Sequence, residues 1–256
     1  MLIFAAQNNH LKRITMNYQD FELKEYSSAN ERLWETSQAF PVLMRKVYVW
    51  MTLALAITGF TAYGVATSPG LMQAIFTNRV LFWGLIIAEF ALVMGVSAAI
   101  NRLSLTTATL MFVLYSVING ATLSVVFLAY SMASIATVFF ITAGTFAAMA
   151  FIGYTTKTDL TSVGKIVLMA LIGLIIATVV NVFVKSTMFD IILSYVGVLI
   201  FVGLTAYDSQ KIKQMLLQAP DAGEGAQKVA LLGALSLYLD FINLFIYLLR
   251  IFGRRE

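Results

Sequence analysis

Residues 229–252 read VALLGALSLYLDFINLFIYLLRIF, an apolar run in which Asp240 is the one acidic residue and Arg250 the one basic residue. A bilayer core about 30 Å thick takes roughly 20 helical residues at 1.5 Å each, so this stretch is long enough to cross it. Its polar residues are not scattered. Ser236, Asp240, Asn243 and Tyr247 fall at i, i+4, i+7 and i+11, which is one face of an α-helix whose other faces are Leu, Ile and Phe. The alternation at period two that a membrane β-barrel requires is absent. A polar stripe on a membrane helix turns away from lipid, so this last span is expected at the centre of its bundle.

Six further runs of similar length precede it, at 47–67, 80–100, 105–130, 133–154, 166–184 and 191–217. The joins between them carry helix-ending polar residues, among them Ser68-Pro69-Gly70, Asn101-Arg102, Lys157-Thr158-Asp159 and Lys185-Ser186. The chain is therefore expected to be all-α, a polytopic membrane protein of seven transmembrane helices with the seventh central. Residues 1–46 form a polar N-terminal tail and 47–256 the membrane domain. Ser28-x-x-Glu31 has capping-box spacing, which predicts a short helix in the tail before Phe40-Pro41. The composition agrees: 60% of residues are hydrophobic and 12% charged, against about 25% charged in soluble domains.

Several functions are excluded or disfavoured at this level. The chain has no Cys, so disulfides, thiolate metal sites and cysteine nucleophiles are ruled out. His10, the single histidine, stands in the polar tail and reads as a solvated side chain. The formal charge is +4, and its Lys and Arg residues sit at the ends of apolar runs, which orients a membrane protein and does not suit nucleic acid. Arg45, Lys46, Arg102, Lys157, Lys165, Lys211, Lys213 and Lys228 share one side, which predicts a cytoplasmic N-terminus in a plasma or inner membrane. A complete seventh span puts Arg250, Arg254 and Arg255 on the opposite side, in conflict with that charge rule.

Ionisable groups within a bilayer are costly unless partnered or hydrated, which singles out Glu89, Asp208 and Asp240. The join after the sixth span is short, so spans six and seven run antiparallel and bring Asp208 and Asp240 to similar depth. Thr205, Asp208 and Lys211 make a polar stripe on span six; Ser116, Asn119 and Thr122 make one on span three. Ser116, Asn119, Asn181 and Asn243 read first as hydrogen-bonding glue between helices. The aspartates are less suited to glue, because an amide would do it at lower cost. Two carboxyls in a poorly hydrated site compete for one proton, and a protonated pair would clamp the two spans by a carboxyl-to-carboxylate hydrogen bond. Deprotonated, they repel and attract a cation. Two carboxyls fall short of the six to eight oxygens of a closed calcium site, so no tightly bound metal and no cofactor is expected, and a permeation path fits better.

Two motifs then stand out as long and specific: Phe201-Val202-Gly203-Leu204-Thr205-Ala206-Tyr207-Asp208-Ser209-Gln210-Lys211-Ile212 and Ala234-Leu235-Ser236-Leu237-Tyr238-Leu239-Asp240-Phe241-Ile242-Asn243-Leu244-Phe245. Together with Phe76-Thr77-Asn78-Arg79 and Gly153-Tyr154-Thr155-Thr156-Lys157, they resemble the Bax inhibitor-1 (transmembrane Bax inhibitor motif) family, in particular its bacterial inner-membrane members. The resemblance covers about residues 42–252. It implies a seven-helix fold with the last helix surrounded by the others, and a pH-sensitive calcium leak channel gated by the aspartates that correspond to Asp208 and Asp240. It also implies a basic residue at the end of span two paired with them, near Arg102, and a link to stress responses.

Three function classes follow. A pH-gated calcium or cation leak is ranked first, with Asp208 and Asp240 as gate and ion path and Arg102, Glu89, Asn119, Ser236 and Asn243 in support. The second is a non-conducting membrane regulator that binds another membrane protein, such as a membrane-bound ATP-dependent protease. The third, an intramembrane aspartyl protease, is disfavoured because Leu237-Tyr238-Leu239 precedes Asp240 where that class carries Gly-x-Gly; the chain is not expected to be an enzyme.

Overall fold

The computed structural model describes residues 39–219 and 221–254, and among them the chain forms nine α-helices. They are α1 (Ala39–Ala66), α2 (Pro69–Thr77), α3 (Arg79–Ala99), α4 (Leu105–Leu123), α5 (Val126–Ala129), α6 (Met132–Thr155), α7 (Thr161–Val184), α8 (Thr187–Leu217) and α9 (Glu224–Phe252). Seven spans are long and apolar enough to cross a bilayer: α1, α3, α4 with α5, α6, α7, α8 and α9. The helix expected between Ser28 and Phe40 lies outside the described residues, as does His10.

The boundaries follow local chemistry. α1 is already helical at Ala39, the first described residue, eight residues ahead of the expected start at Val47. Ser104, Ser131 and Ser186 cap α4, α6 and α8 by accepting hydrogen bonds from the backbone N–H of Thr107, Ser134 and Phe189. Asn78 caps α3 in the same way. The Lys185-Ser186 join turns through a left-handed Lys185, φ 54°, whose N–H closes onto the carbonyl of Asn181 at 2.7 Å. Two features depart from the expected pattern. The Ser68-Pro69-Gly70 join opens a further helix, α2, whose Met72 and Ile75 pack against Val65. The third span breaks at Ser124 and Val125 into α4 and α5.

α9 lies at the centre: 61% of its apolar stretch is buried inside the protein, against 6% for α3 and for α7. It packs against α8, α6 and α4, while α7 packs chiefly on α8 and α3 on α4. Lipid tails are as apolar as leucine, so helices in a bilayer associate through close packing and hydrogen bonds. The approach of α6 to α8 is close enough that a Cβ on Gly153 would overlap the backbone of Ala206. On α8, a Cβ on Gly197 would meet the ring of Tyr247 at 2.7 Å; that ring stacks on Phe201 at 5.9 Å.

Contacts at one end tie the bundle together. Lys46 donates to Gln227 at 2.8 Å, Glu224 accepts from the N–H of Leu105 at 3.0 Å, and Lys213 donates to the carbonyl of Tyr154 at 2.7 Å. At the other end the N–H of Arg254 reaches Ser134 at 2.9 Å. The first group defines a basic end of the bundle; the termini of the described chain lie at opposite ends.

Candidate functional site

The α8–α9 interface carries both aspartates. The stripe Ser236, Asp240, Asn243 and Tyr247 turns toward α8, with Ser236 donating to Oδ2 of Asp208 at 2.5 Å and Tyr247 resting on Phe201 and Gly197. Asp208 is half-buried, whereas Asp240 is 5% exposed. Asp240 follows Ser236, the partner of Asp208, by one helical turn on α9. Oδ2 of Asp240 is buried and receives no hydrogen bond, an uncommon condition for a carboxylate oxygen that a proton or a cation would relieve.

The expected register of the pair needs correction. The α8–α9 turn is shorter than the sequence suggested, so α9 starts at Glu224. Counted from the basic end at 1.5 Å per residue, Asp208 lies about 14 Å along α8, Ser236 about 18 Å along α9 and Asp240 about 24 Å along it. Ser236, and not Asp240, is therefore the partner of Asp208, and Asp240 sits about one turn deeper. The expected carboxyl-to-carboxylate clamp is replaced by a serine-to-carboxylate bond on one member of the pair.

The supporting residues divide. Arg102 stands on the exposed turn between α3 and α4 and forms no ion pair with either aspartate among the described residues; the turn carries it away from the α8–α9 interface. The cation whose charge reaches Asp208 is Lys211, one turn along α8 toward the basic end. Asn243 donates to the carbonyl of Leu239 in its own helix at 2.8 Å, and Ser116 bonds back to Phe112 at 2.9 Å, so neither joins two helices through its side chain.

Glu89 and Asn119 belong to a second polar network on the opposite side of α9. Thr122 donates to Oε1 of Glu89 at 2.6 Å, and Asn119 reaches Oε2 at 3.4 Å. Asn119 in turn accepts from the hydroxyl of Tyr238 at 2.9 Å, and that hydroxyl lies 2.7 Å from Oγ1 of Thr58. Thr58 also donates to the carbonyl of Ser116 at 3.0 Å. The chain of contacts thus links α3, α4, α9 and α1 through Tyr238, which is fully buried and packs edge-on against Phe112 and Tyr115. Tyr238 and Thr58 were missed in the sequence because both fall among apolar residues and off the polar stripes. The available signal was chemical: a tyrosine hydroxyl inside a bilayer requires a partner.

Among the described residues no three His, Asp or Glu side chains gather as a metal cluster. The assembly is thus a polytopic helical membrane protein with two carboxyls between its two most closely packed spans and a third in a separate hydrogen-bonded network. The family described as "Inhibitor of apoptosis-promoting Bax1" matches residues 41–256. The inner membrane protein YbhL of Escherichia coli K12 is 51% identical over 214 residues, covering 83% of this chain and 92% of that protein. An uncharacterized protein of Borreliella burgdorferi is 44% identical over 213 residues, covering 83% and 92%, and an uncharacterized membrane protein of Streptococcus pyogenes serotype M1 is 38% identical, covering 82% and 92%. This chain belongs to the Bax inhibitor family.

Proposed function

We propose that the chain is a pH-sensitive cation leak, with calcium as the permeant ion, in which Asp208 and Asp240 form the gate and part of the ion path. The observation that carries this reading is the buried Oδ2 of Asp240, left without a hydrogen bond one turn beyond the Ser236–Asp208 contact. Such an oxygen binds a proton when one is available and attracts a hard cation when it is not. Two carboxyls are too few to chelate calcium tightly, which favours passage over storage. Under this reading the protein is not an enzyme and breaks no covalent bond. It resides in the inner membrane, as the name of the Escherichia coli relative suggests, with the basic end cytoplasmic and therefore the N-terminus of α1 inside.

Purified protein in liposomes loaded with a calcium indicator tests the reading. Calcium entry is expected to change with pH, and Asp208→Asn and Asp240→Asn are each expected to flatten that dependence, because one carboxyl no longer competes with another. Flux that keeps its pH dependence in both variants removes the aspartates from the gate. Absence of flux at every pH favours the second reading, a non-conducting regulator of another membrane protein. The observation that favours this second reading is the wide lipid-facing surface of α3 and α7, available for a neighbour in the bilayer.

A further inference from the structure

A cavity of about 740 Å³ lies between α1 and α6, with Phe241 of α9 at its inner wall. It begins at the basic end, where the rings of Phe40 and Tyr154 stack at 6.4 Å, and runs to Leu55 and Phe139. From Phe40 to Leu55 is a rise of 15 residues along α1, about 22 Å of helix. Half of a 30 Å hydrocarbon core is about 15 Å, so the groove holds the full reach of one leaflet's acyl chain and leaves room for a headgroup at its mouth.

The chemistry changes along that length. The deep part is made of Met, Leu, Ala and Phe side chains with the single hydroxyl of Thr52. Among the described residues Arg45 is the one charged residue lining the cavity; it is exposed, near the mouth, and forms no ion pair with any of them. Lys213 adds a second cation beside the mouth, with its Nζ 5.0 Å above the Tyr154 ring. Tyr48 and Tyr154, also in the lining, place phenol groups at the same level. No carboxylate among the described residues lines the cavity. An apolar slot of acyl length with Arg45 at its mouth, at the depth of the headgroups, matches a single amphipath of negative charge.

We propose that the α1–α6 groove is a binding site for an anionic phospholipid, one acyl chain lying between Met51, Phe146 and Phe241 and the phosphate meeting Arg45. A zwitterionic lipid of equal chain length fills the slot but lacks the net charge that Arg45 selects; Lys213 is already engaged with the carbonyl of Tyr154.

The test is native mass spectrometry of the full chain in detergent, titrated separately with phosphatidylglycerol and phosphatidylcholine bearing identical chains. The expected result is one retained phosphatidylglycerol, bound about fivefold more tightly than phosphatidylcholine, the scale of one basic residue at an anionic headgroup. Arg45→Gln, at an exposed position, is expected to abolish the preference by lowering phosphatidylglycerol retention more than phosphatidylcholine retention. Ala147→Phe, which fills the groove, is expected to reduce retention of both lipids, with a thermal melt confirming the fold. Equal retention of the two lipids by the unaltered protein overturns the proposal, as does a preference that survives Arg45→Gln. Displacement of the lipid by glycerol phosphate alone would show that the apolar slot contributes nothing, and would also overturn it.

Discussion

The hydroxyl of Ser236 on α9 donates to Oδ2 of Asp208 on α8 at 2.5 Å, one helical turn from Asp240. It is a direct side-chain hydrogen bond between the two spans that pack most closely, and its acceptor is a carboxyl. Ser236→Ala is expected to lower the stability of the bundle by about 1 to 2 kcal/mol, the range for a hydrogen bond to a charged group within a membrane protein. Ser236→Thr keeps a hydroxyl and is expected to recover most of that loss. Thermal unfolding in detergent measures both, and equal stability of Ser236→Ala and the unaltered chain would show that the bond contributes nothing.

Tyr238→Phe isolates the second network. The ring continues to pack edge-on against Phe112 at 5.8 Å and Tyr115 at 5.7 Å, while Oδ1 of Asn119 loses its donor and Thr58 keeps only the carbonyl of Ser116. A buried polar group left without a partner costs about 1 to 3 kcal/mol, and a loss of that size is expected. Thr58→Val removes the other end of the same contact, so the double variant should cost less than the two single changes added together. Full additivity would mean that the two hydroxyls do not act as a pair. Because the network lies on the face of α9 away from Asp208, Tyr238→Phe is also expected to leave the pH dependence of calcium flux unchanged.

The spans were legible because bilayer thickness imposes a length and an apolar composition on each of them; six of the seven runs at 47–67 through 229–252 each fall on one helix, and the third falls on α4 and α5. The central position of the last span was legible for a related reason: Ser236, Asp240 and Tyr247 share one stripe, and a stripe in lipid needs a neighbour. Depth and partner were harder. One helix start moved from Val229 to Glu224, and that shift places Ser236 rather than Asp240 level with Asp208. Helix rotation decides the rest: Asn243 shares the stripe by number yet bonds to its own backbone at Leu239. Arg102 is near the end of α3 in the chain, but the turn after α3 carries it outward. Tyr238 could not be told from a core aromatic by spacing, since its partners Thr58 and Asn119 are 180 and 119 residues away.

Asp159, in the exposed join between α6 and α7, gives a pH dependence whose sign follows from its bonds. Its Oδ1 accepts from the hydroxyl of Thr161 at 2.6 Å and from the Thr161 N–H at 2.9 Å. These bonds, with a smaller contribution from Lys165, hold its carboxyl below the usual range. A carboxyl whose folded value is depressed contributes fully above its unfolded value, about 3.9, and the contribution fades as pH falls through the folded one. The start of α7 should therefore be protected at neutral pH and lose that protection in acid. Amide hydrogen exchange at Thr161 is expected to quicken, relative to its intrinsic rate, below about pH 4. Asp159→Ala should show the faster exchange at neutral pH and no further acid step; an acid step that persists in this variant would assign it to another group.

The direction of the chain in the bilayer is the remaining geometric question, and the absence of cysteine makes it accessible to single-cysteine labelling. Seven spans place Arg102 and Lys157 at one end of the bundle and Ser131, Lys185 and Arg254 at the other. The charge rule favours the first end as cytoplasmic, yet the arginines that follow α9 stand at the second. Arg250 is partly neutralised there, since its Nη1 lies 3.4 Å from Oδ1 of Asp190 on α8 and its guanidinium sits 5.5 Å over the ring of Tyr247. A paired arginine beside an acidic residue weighs less on orientation than Arg45, Arg102 and Lys157 at the opposite end, which form no ion pair among the described residues. Cysteines at 102 and 157 are therefore expected to resist a membrane-impermeant maleimide applied to the outside of intact spheroplasts, and cysteines at 131 and 185 to react with it. The reverse pattern would invert the chain and make the mouth of the α1–α6 groove external. Labelling of all four from one side would contradict the seven-span arrangement itself.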